Sequence, residues 1–113
     1  MALETKKYLY DIRRAAALLG DFTAGKEFAD YTHDAMLRAA VEREFEIVGE
    51  ALTRLARLDE GLAGRISEYR RIIALRNILI HGYADVDDRL VWDLIGTKLP
   101  LLRSEVEALL DEE

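Results

Sequence analysis

Apolar residues recur at three- and four-residue steps along nearly the whole chain. Tyr8, Ile12, Ala15, Leu19 and Phe22 form the first such stripe. At 3.6 residues per turn they share one face, which predicts a helix over about residues 5–21. Gly20 and Gly25 bracket its end. Leu37, Val41, Phe45, Val48, Leu52 and Leu55 keep the same period and predict a second helix over about residues 32–58, with Asp30 or Thr32 as its cap. Beyond Gly61 and Gly64, Ser67 is placed to cap a third helix carrying Tyr69, Ile72, Ile73, Leu75, Leu79 and Ile80. That helix is expected to end near His81, with Gly82 free to take a left-handed cap. Asp87 or Asp88 opens a fourth helix containing Leu90, Val91, Leu94 and Ile95. Pro100 is expected to interrupt or kink the chain beyond it. Leu102, Val106, Leu109 and Leu110 mark a last segment.

Nothing alternates with period two over a useful length, so a sheet is not expected. Four to five helices joined by short loops predict an all-α antiparallel bundle, one domain over residues 1–113. The third helix has little polar face, because Ile72, Ile73, Leu75, Ile78, Leu79 and Ile80 surround it. A helix apolar nearly all round needs cover on more than one side. In a chain this short a second copy can supply it, so a homodimer is expected.

Half of the 113 residues are hydrophobic and 34% are charged, which describes a folded chain rather than a disordered one. The absence of cysteine excludes disulfides, thiolate metal sites and cysteine nucleophiles. No apolar run approaches the roughly 20 residues of a membrane span, and no signal-peptide core follows Met1. A cytoplasmic protein with no membrane partner is therefore the expectation. Sixteen basic residues against 22 acidic ones give a net charge of -6, which argues against a broadly basic nucleic-acid surface. The charge is uneven, however. Residues 54–76 hold six basic and three acidic side chains, whereas residues 77–113 hold three and nine. That imbalance is met either by solvated helix faces or by a small positive site able to hold phosphate on an acidic body.

The densest chemistry lies in Arg76-Asn77-Ile78-Leu79-Ile80-His81-Gly82-Tyr83. Asn77 and His81 differ by about 40° around a helix and share a face, whereas Arg76 and His81 differ by about 140°. The latter two converge only if the helix distorts or ends early, or if a second copy supplies one of them. The helix dipole alone would also favour a histidine here. A metal site is harder to build. His33 and His81 are far apart in sequence, and His33 reads as a surface residue of a first helical turn. Asp85, Asp87 and Asp88 lack the glycine pattern of a calcium loop. Glu46 and Glu50 stand one turn apart without an accompanying Glu-x-x-His. Glu50 is instead placed to pair with an arginine of the third helix, and Trp92 reads as a core or interface aromatic. No cofactor is expected.

The Arg76–Tyr83 segment resembles the signature of the HEPN superfamily: an arginine, often followed by asparagine, then histidine four to six residues on. Tyr8-Leu9-Tyr10-Asp11-Ile12, Phe45-Glu46-Ile47-Val48-Gly49-Glu50-Ala51 and the run from Val86-Asp87-Asp88 through Leu99-Pro100-Leu101-Leu102 extend the likeness to the HepT-like branch over nearly the full length. That branch often has a Pro-Trp pair before the arginine; here Ser67-Glu68-Tyr69 stands in the region, and Tyr69 is expected to fill the core slot. The resemblance implies a HEPN-like bundle acting as a metal-independent endoribonuclease, the toxin of a type II toxin–antitoxin pair. It implies a homodimer with the arginine–histidine motifs facing across the interface. It also implies an MNT-type nucleotidyltransferase antitoxin that adds AMP to the tyrosine two residues after the histidine, which falls on Tyr83. In such an enzyme RNA supplies its own nucleophile, the 2′-hydroxyl. An imidazole such as His81 has the intrinsic range for proton transfer near neutrality. A guanidinium such as Arg76 can stabilise charge on the phosphate, and Asn77 can orient either partner. A catalytically inactive helical partner of a nucleotidyltransferase, binding nucleotide or RNA, is equally compatible with the motif.

Overall fold

A computed structural model describes residues 1–82 and 86–112. Among the described residues the chain is helical throughout, with no strand. Five long helices are present: α1 (Leu3–Thr23), α3 (Ala35–Leu58), α5 (Tyr69–His81), α6 (Asp88–Thr97) and α7 (Leu99–Asp111). Two short ones, α2 (Phe28–Thr32) and α4 (Glu60–Ala63), lie in the connections on either side of α3. The all-α bundle expected from the apolar periods is therefore the fold. The periods missed α2 and α4 because helices of five and four residues are too short to establish a stripe.

Local chemistry explains most of the boundaries. Asp34 begins α3, its carboxylate accepting the Leu37 N–H at 3.0 Å. Asp59 does the same for α4 through Leu62 N–H at 3.0 Å, and Asp87 for α6 through Arg89 and Leu90. Each satisfies a backbone donor left over at a helix start. Asp30 and Thr32 do not cap α3. Asp30 lies inside α2, where it closes a reciprocal capping box with Glu27. Ser67 does not cap α5 either: its N–H and hydroxyl both go to Glu105, at 3.0 and 2.7 Å, tying this turn to α7. The residue preceding α5 is Glu68, at φ 55°, a left-handed conformation costly for a side chain with a Cβ. Ion pairs to Arg71 and Lys98 hold it there. Gly82 closes α5 at φ −126°, not in the left-handed region, with its N–H on the Ile78 carbonyl at 2.7 Å. Pro100 begins a helix instead of interrupting one. It sits in the first turn of α7, where a missing N–H costs nothing.

The stripes read from the sequence meet in one core. Leu9, Ile12 and Leu19 of α1 pack with Val41, Val48, Leu52 and Leu55 of α3, all fully buried. α3 is the central element, with α1 along one side and α5 along another, and α7 returns to cover α1. Tyr69 fills a buried slot, as expected. α2 and α6 are joined by Tyr31 and Trp92, whose ring centroids lie 5.2 Å apart, so Trp92 is a half-buried aromatic packed against the core. No described helix is long and apolar enough to cross a membrane.

α3 and α5 approach closely at Gly49. A Cβ added at buried Gly49 would stand 2.3 Å from Arg76 Cβ and 2.7 Å from its Cγ. Those atoms belong to the base of the arginine, which cannot swing aside while α5 stays in place. Gly49→Ala should therefore destabilise the fold by about 1–3 kcal/mol, although alanine is the better helix former by about 1 kcal/mol. Thermal unfolding should show a fall of several degrees in Tm; an unchanged or raised Tm would mean that the two helices separate freely.

Candidate functional site

The close approach at Gly49 brings the next residue of α3 against the arginine of α5. Glu50 Oε2 accepts from an Arg76 terminal nitrogen at 2.6 Å, and Glu50 Oε1 accepts from Arg54 Nε at 2.8 Å. This is the pairing expected between Glu50 and the third predicted helix. One carboxylate thus holds two guanidinium groups. The other terminal nitrogen of Arg76 donates to Asn77 Oδ1 at 2.9 Å. Arg76 Nε is buried and has no acceptor among the described residues. An unpaired buried donor costs about 1–3 kcal/mol. Both terminal nitrogens of this side chain are held on polar partners while its root is sacrificed to packing.

The Arg54 guanidinium, and after it Arg76, holds the Glu50 carboxyl below the usual glutamate range, with partial burial working the other way. Arg54 is raised in turn by Glu50 and then by the Tyr8 hydroxyl. The three side chains behave as one electrostatic unit carrying a net positive charge.

Arg76, Asn77 and His81 all lie on α5, and the helix remains regular through His81. Of the routes by which Arg76 and His81 could converge, distortion or early termination of the helix is therefore absent. On a regular helix their directions differ by about 140°. Arg76 lines a cavity of about 550 Å³, whereas His81 is exposed and does not line it. Within one copy the structure joins Arg76 to Asn77 and leaves His81 apart. Tyr83 lies outside the described residues.

The cavity runs along the junction of three helices. Lys7, Tyr8 and Asp11 of α1 form one wall. Arg43, Glu46, Glu50 and Arg54 of α3 form the floor, and Arg76 and Ile80 of α5 the far side. Four cations face three carboxylates there, so the cavity is locally positive on a chain of net charge -6. The sequence placed Tyr8 in the first apolar stripe and Arg54 in the basic stretch 54–76, and left Lys7 and Arg43 without a role. A signal existed in the i, i+4 pair Glu50–Arg54 and in a lone glycine within a strong helical stripe, which marks a close helix approach.

Asp85 lies outside the described residues, and the other candidates have structural explanations. Glu46 stands 3.7 Å from Arg43. His33 is exposed at the C-terminal end of α2, not in a first turn, and its Nδ1 lies 2.7 Å from the Ala29 carbonyl. Asp87 is a helix cap. Among the described residues, no group of three or more His, Asp and Glu side chains is arranged to hold a metal ion.

The depressed carboxyl gives a pH test. A carboxylate held below its unfolded value contributes stability above the ordinary glutamate range and loses it as pH falls through the lowered value. More than a third of the Glu50 side chain is exposed, so solvent screening keeps that contribution small. The side-chain carbon of Glu50, followed by NMR, should titrate below the exposed glutamates. In Arg54→Gln its midpoint should rise towards the ordinary value, and further than in Arg76→Gln. Equal midpoints in all three proteins would show that the bridge does not form in solution.

Comparison with known proteins gives a consistent assignment. The family model described as Ribonuclease HepT-like matches residues 12–109. A protein named "Putative RNase" from Methanocaldococcus jannaschii is 34% identical over 104 residues, covering 92% of this chain and 94% of its own. A "Probable ribonuclease HepT" from Thermococcus cleftensis is 35% identical with the same coverage. A further "Putative RNase" from Caldanaerobacter subterraneus is 30% identical over 108 residues, 96% of each chain. No solved structure matches. With most of its length matched by that model, and with relatives covered almost end to end, this chain belongs to the HepT-like ribonuclease family.

Proposed function

We propose that this chain is a metal-independent endoribonuclease, the toxin of a type II toxin–antitoxin pair, with Arg76 and His81 as its catalytic residues. The observation that carries the reading is the state of Arg76. Its guanidinium is held in place by Glu50 and Asn77 at the edge of a solvent-open, locally positive cavity. A preorganised cation is what a developing phosphorane needs, because no reorganisation is then required at the moment of reaction. In the proposed reaction the RNA 2′-oxygen attacks the adjacent phosphorus and the bond to the 5′-oxygen breaks. The 2′-hydroxyl loses its proton and the departing 5′-oxygen gains one. His81 serves as acceptor or donor in that transfer. The products are a 2′,3′-cyclic phosphate and a 5′-hydroxyl.

The regularity of α5 supports a homodimer. One copy directs Arg76 and His81 apart, so a site containing both draws one of them from a second copy. An apolar groove beside α5, lined by Ile72, Leu75, Ile78, Leu90 and Leu94, supplies surface for such a contact. Ile78 is 45% exposed and Leu90 39%, more than these side chains retain in a core. The partner proposed for regulation is an MNT-type nucleotidyltransferase antitoxin that adds AMP to Tyr83. In the sequence Tyr83 follows directly on Gly82, which caps the helix that carries Arg76 and His81. A bulky anion there would compete with RNA phosphate for the same cations.

Two measurements test the proposal. Purified protein should cleave RNA in EDTA. His81→Ala should lower the rate by about 10²- to 10⁴-fold, the usual cost of losing a general acid or base. Arg76→Ala should be comparably damaging and should also weaken RNA binding, whereas His33→Ala should leave the rate unchanged. Cleavage only with added metal, or full activity in His81→Ala, would refute the mechanism. Failure of every form to cleave, with retained binding to the nucleotidyltransferase, would favour a non-catalytic partner.

Native mass spectrometry should find the 12.9 kDa chain as a dimer. After incubation with the nucleotidyltransferase and ATP it should show AMP-sized increments that disappear in Tyr83→Phe. A monomer at micromolar concentration, or increments that persist in the variant, would overturn the corresponding part.

A further inference from the structure

The cavity beside Arg76 extends well beyond the space needed to hold one phosphate. Pockets of about 300–1,000 Å³ accept a small molecule, and this one, at about 550 Å³, has room for a nucleotide unit. Its charge is not spent on Arg76 alone. Lys7 on the α1 wall and Arg43 on the α3 floor are both exposed. Lys7 lies 5.8 Å from the Tyr8 ring centroid, and Arg43 has only a loose contact to Glu46. Both can therefore turn to an incoming anion at little cost. Tyr8 provides a half-buried aromatic ring at the same wall, with Ile80 opposite as an apolar surface. Elsewhere the chain is predominantly acidic and repels RNA, so a positive concavity of this kind concentrates the attraction for a polyanion.

We propose that the α1–α3–α5 cavity is a substrate subsite, taking the nucleotide next to the cleaved bond with its base on Tyr8 and its phosphate between Lys7 and Arg43. The inference rests on the ribonuclease reading and adds to it the residues that select a chain over a dinucleotide. Arg76 stands at the boundary between the two positions. It faces the cavity with Ile80, one turn further along α5, while His81 does not line it. RNA bound through the subsite would thus cross Arg76 before reaching the imidazole that the second copy supplies. An aromatic ring and two mobile cations with no specific acceptor pattern suit single-stranded RNA of any sequence, because every base offers a face for stacking. A free nucleotide shares this chemistry, and the experiment separates the two.

The test compares a dinucleotide substrate with a longer oligonucleotide. With the longer substrate, Tyr8→Ala should raise KM about tenfold over Tyr8→Phe, the usual scale for one lost base stack. The two variants lose the same hydroxyl beside Arg54, so kcat should be equal between them. With the dinucleotide, which leaves the subsite unfilled, Tyr8→Ala should match Tyr8→Phe. The exposed double variant K7Q/R43Q, which removes no buried contact, should raise KM for the longer substrate only. Its binding to a 2′-O-methyl oligonucleotide should lose about 0.7 from the salt-dependence slope for each phosphate contact removed. No change with the longer substrate, or equal loss on both substrates, would overturn the subsite.

The uncleavable oligonucleotide keeps this test separate from the enzymatic one. If the parent protein binds it without cleaving any RNA, and K7Q/R43Q weakens the binding, the subsite stands while the ribonuclease mechanism fails. If the parent protein does not bind it, the subsite fails. If AMP alone displaces it with the oligonucleotide's own affinity, the cavity is a free-nucleotide site and the RNA assignment is wrong.

Discussion

The contact between Gly49 and the root of Arg76 is the constraint on which the site depends. Two helices can approach to this distance only where one of them carries no side chain, and α3 provides such a point within an otherwise apolar stripe. The approach costs α3 the stability a better helix former would bring. In return it sets Glu50, the following residue, within hydrogen-bond distance of a guanidinium on a helix 26 positions away in sequence. Arg54, one turn further, completes a bridge in which one carboxylate serves two cations. Had α3 and α5 packed at an ordinary distance, Arg76 would extend as a mobile surface side chain.

That arrangement resolves a tension in the charge of the chain. An acidic protein that handles RNA must confine its positive potential to a small region. Placing one carboxylate between two arginines keeps both guanidiniums close without letting them repel each other into solvent. The bridge fixes their positions and leaves net positive charge facing the cavity. Lys7 and Arg43 add charge at the rim, where solvent screening allows them to move. In the proposed mechanism a fixed inner cation and exposed outer ones would serve different tasks: geometry at the phosphorus demands preorganisation, whereas capturing a flexible strand does not.

The regularity of α5 has an equally direct consequence. A helix that continues unbroken through His81 cannot turn Arg76 and His81 towards one point. The same helix presents Ile78 outward beside a groove that α6 leaves partly open. Apolar exposure and the divergence of Arg76 from His81 thus occur on one element, and the proposed second copy would answer both.

Much of the fold was legible in the sequence because burial imposes a period. The stripe from Leu37 to Leu55 located α3, the stripe from Tyr8 to Phe22 located α1, and Asp87 or Asp88 before an apolar run located the start of α6, with Asp87 chosen as the cap in the structure. The residues of the arginine–histidine segment were legible too, as a pattern with a known resemblance. The details that failed were those where a side chain had a choice of partner. Ser67 and Asp30 are both good caps by type. Ser67 took Glu105 of α7 instead, and Asp30 closed a box on the helix before. Gly82 was free to turn left-handed, but the Ile78 carbonyl was available without it. Local pattern reports which groups can bond; only the assembled bundle determines which partners come within reach. The same holds for the site. The sequence by itself determined that an arginine, an asparagine and a histidine share one helix. That Arg76 is anchored by Glu50, that Arg54 joins them, and that a locally positive cavity opens beside them was decided by the approach of α3 to α5, since distances across helices are set by packing and carry no period along the chain.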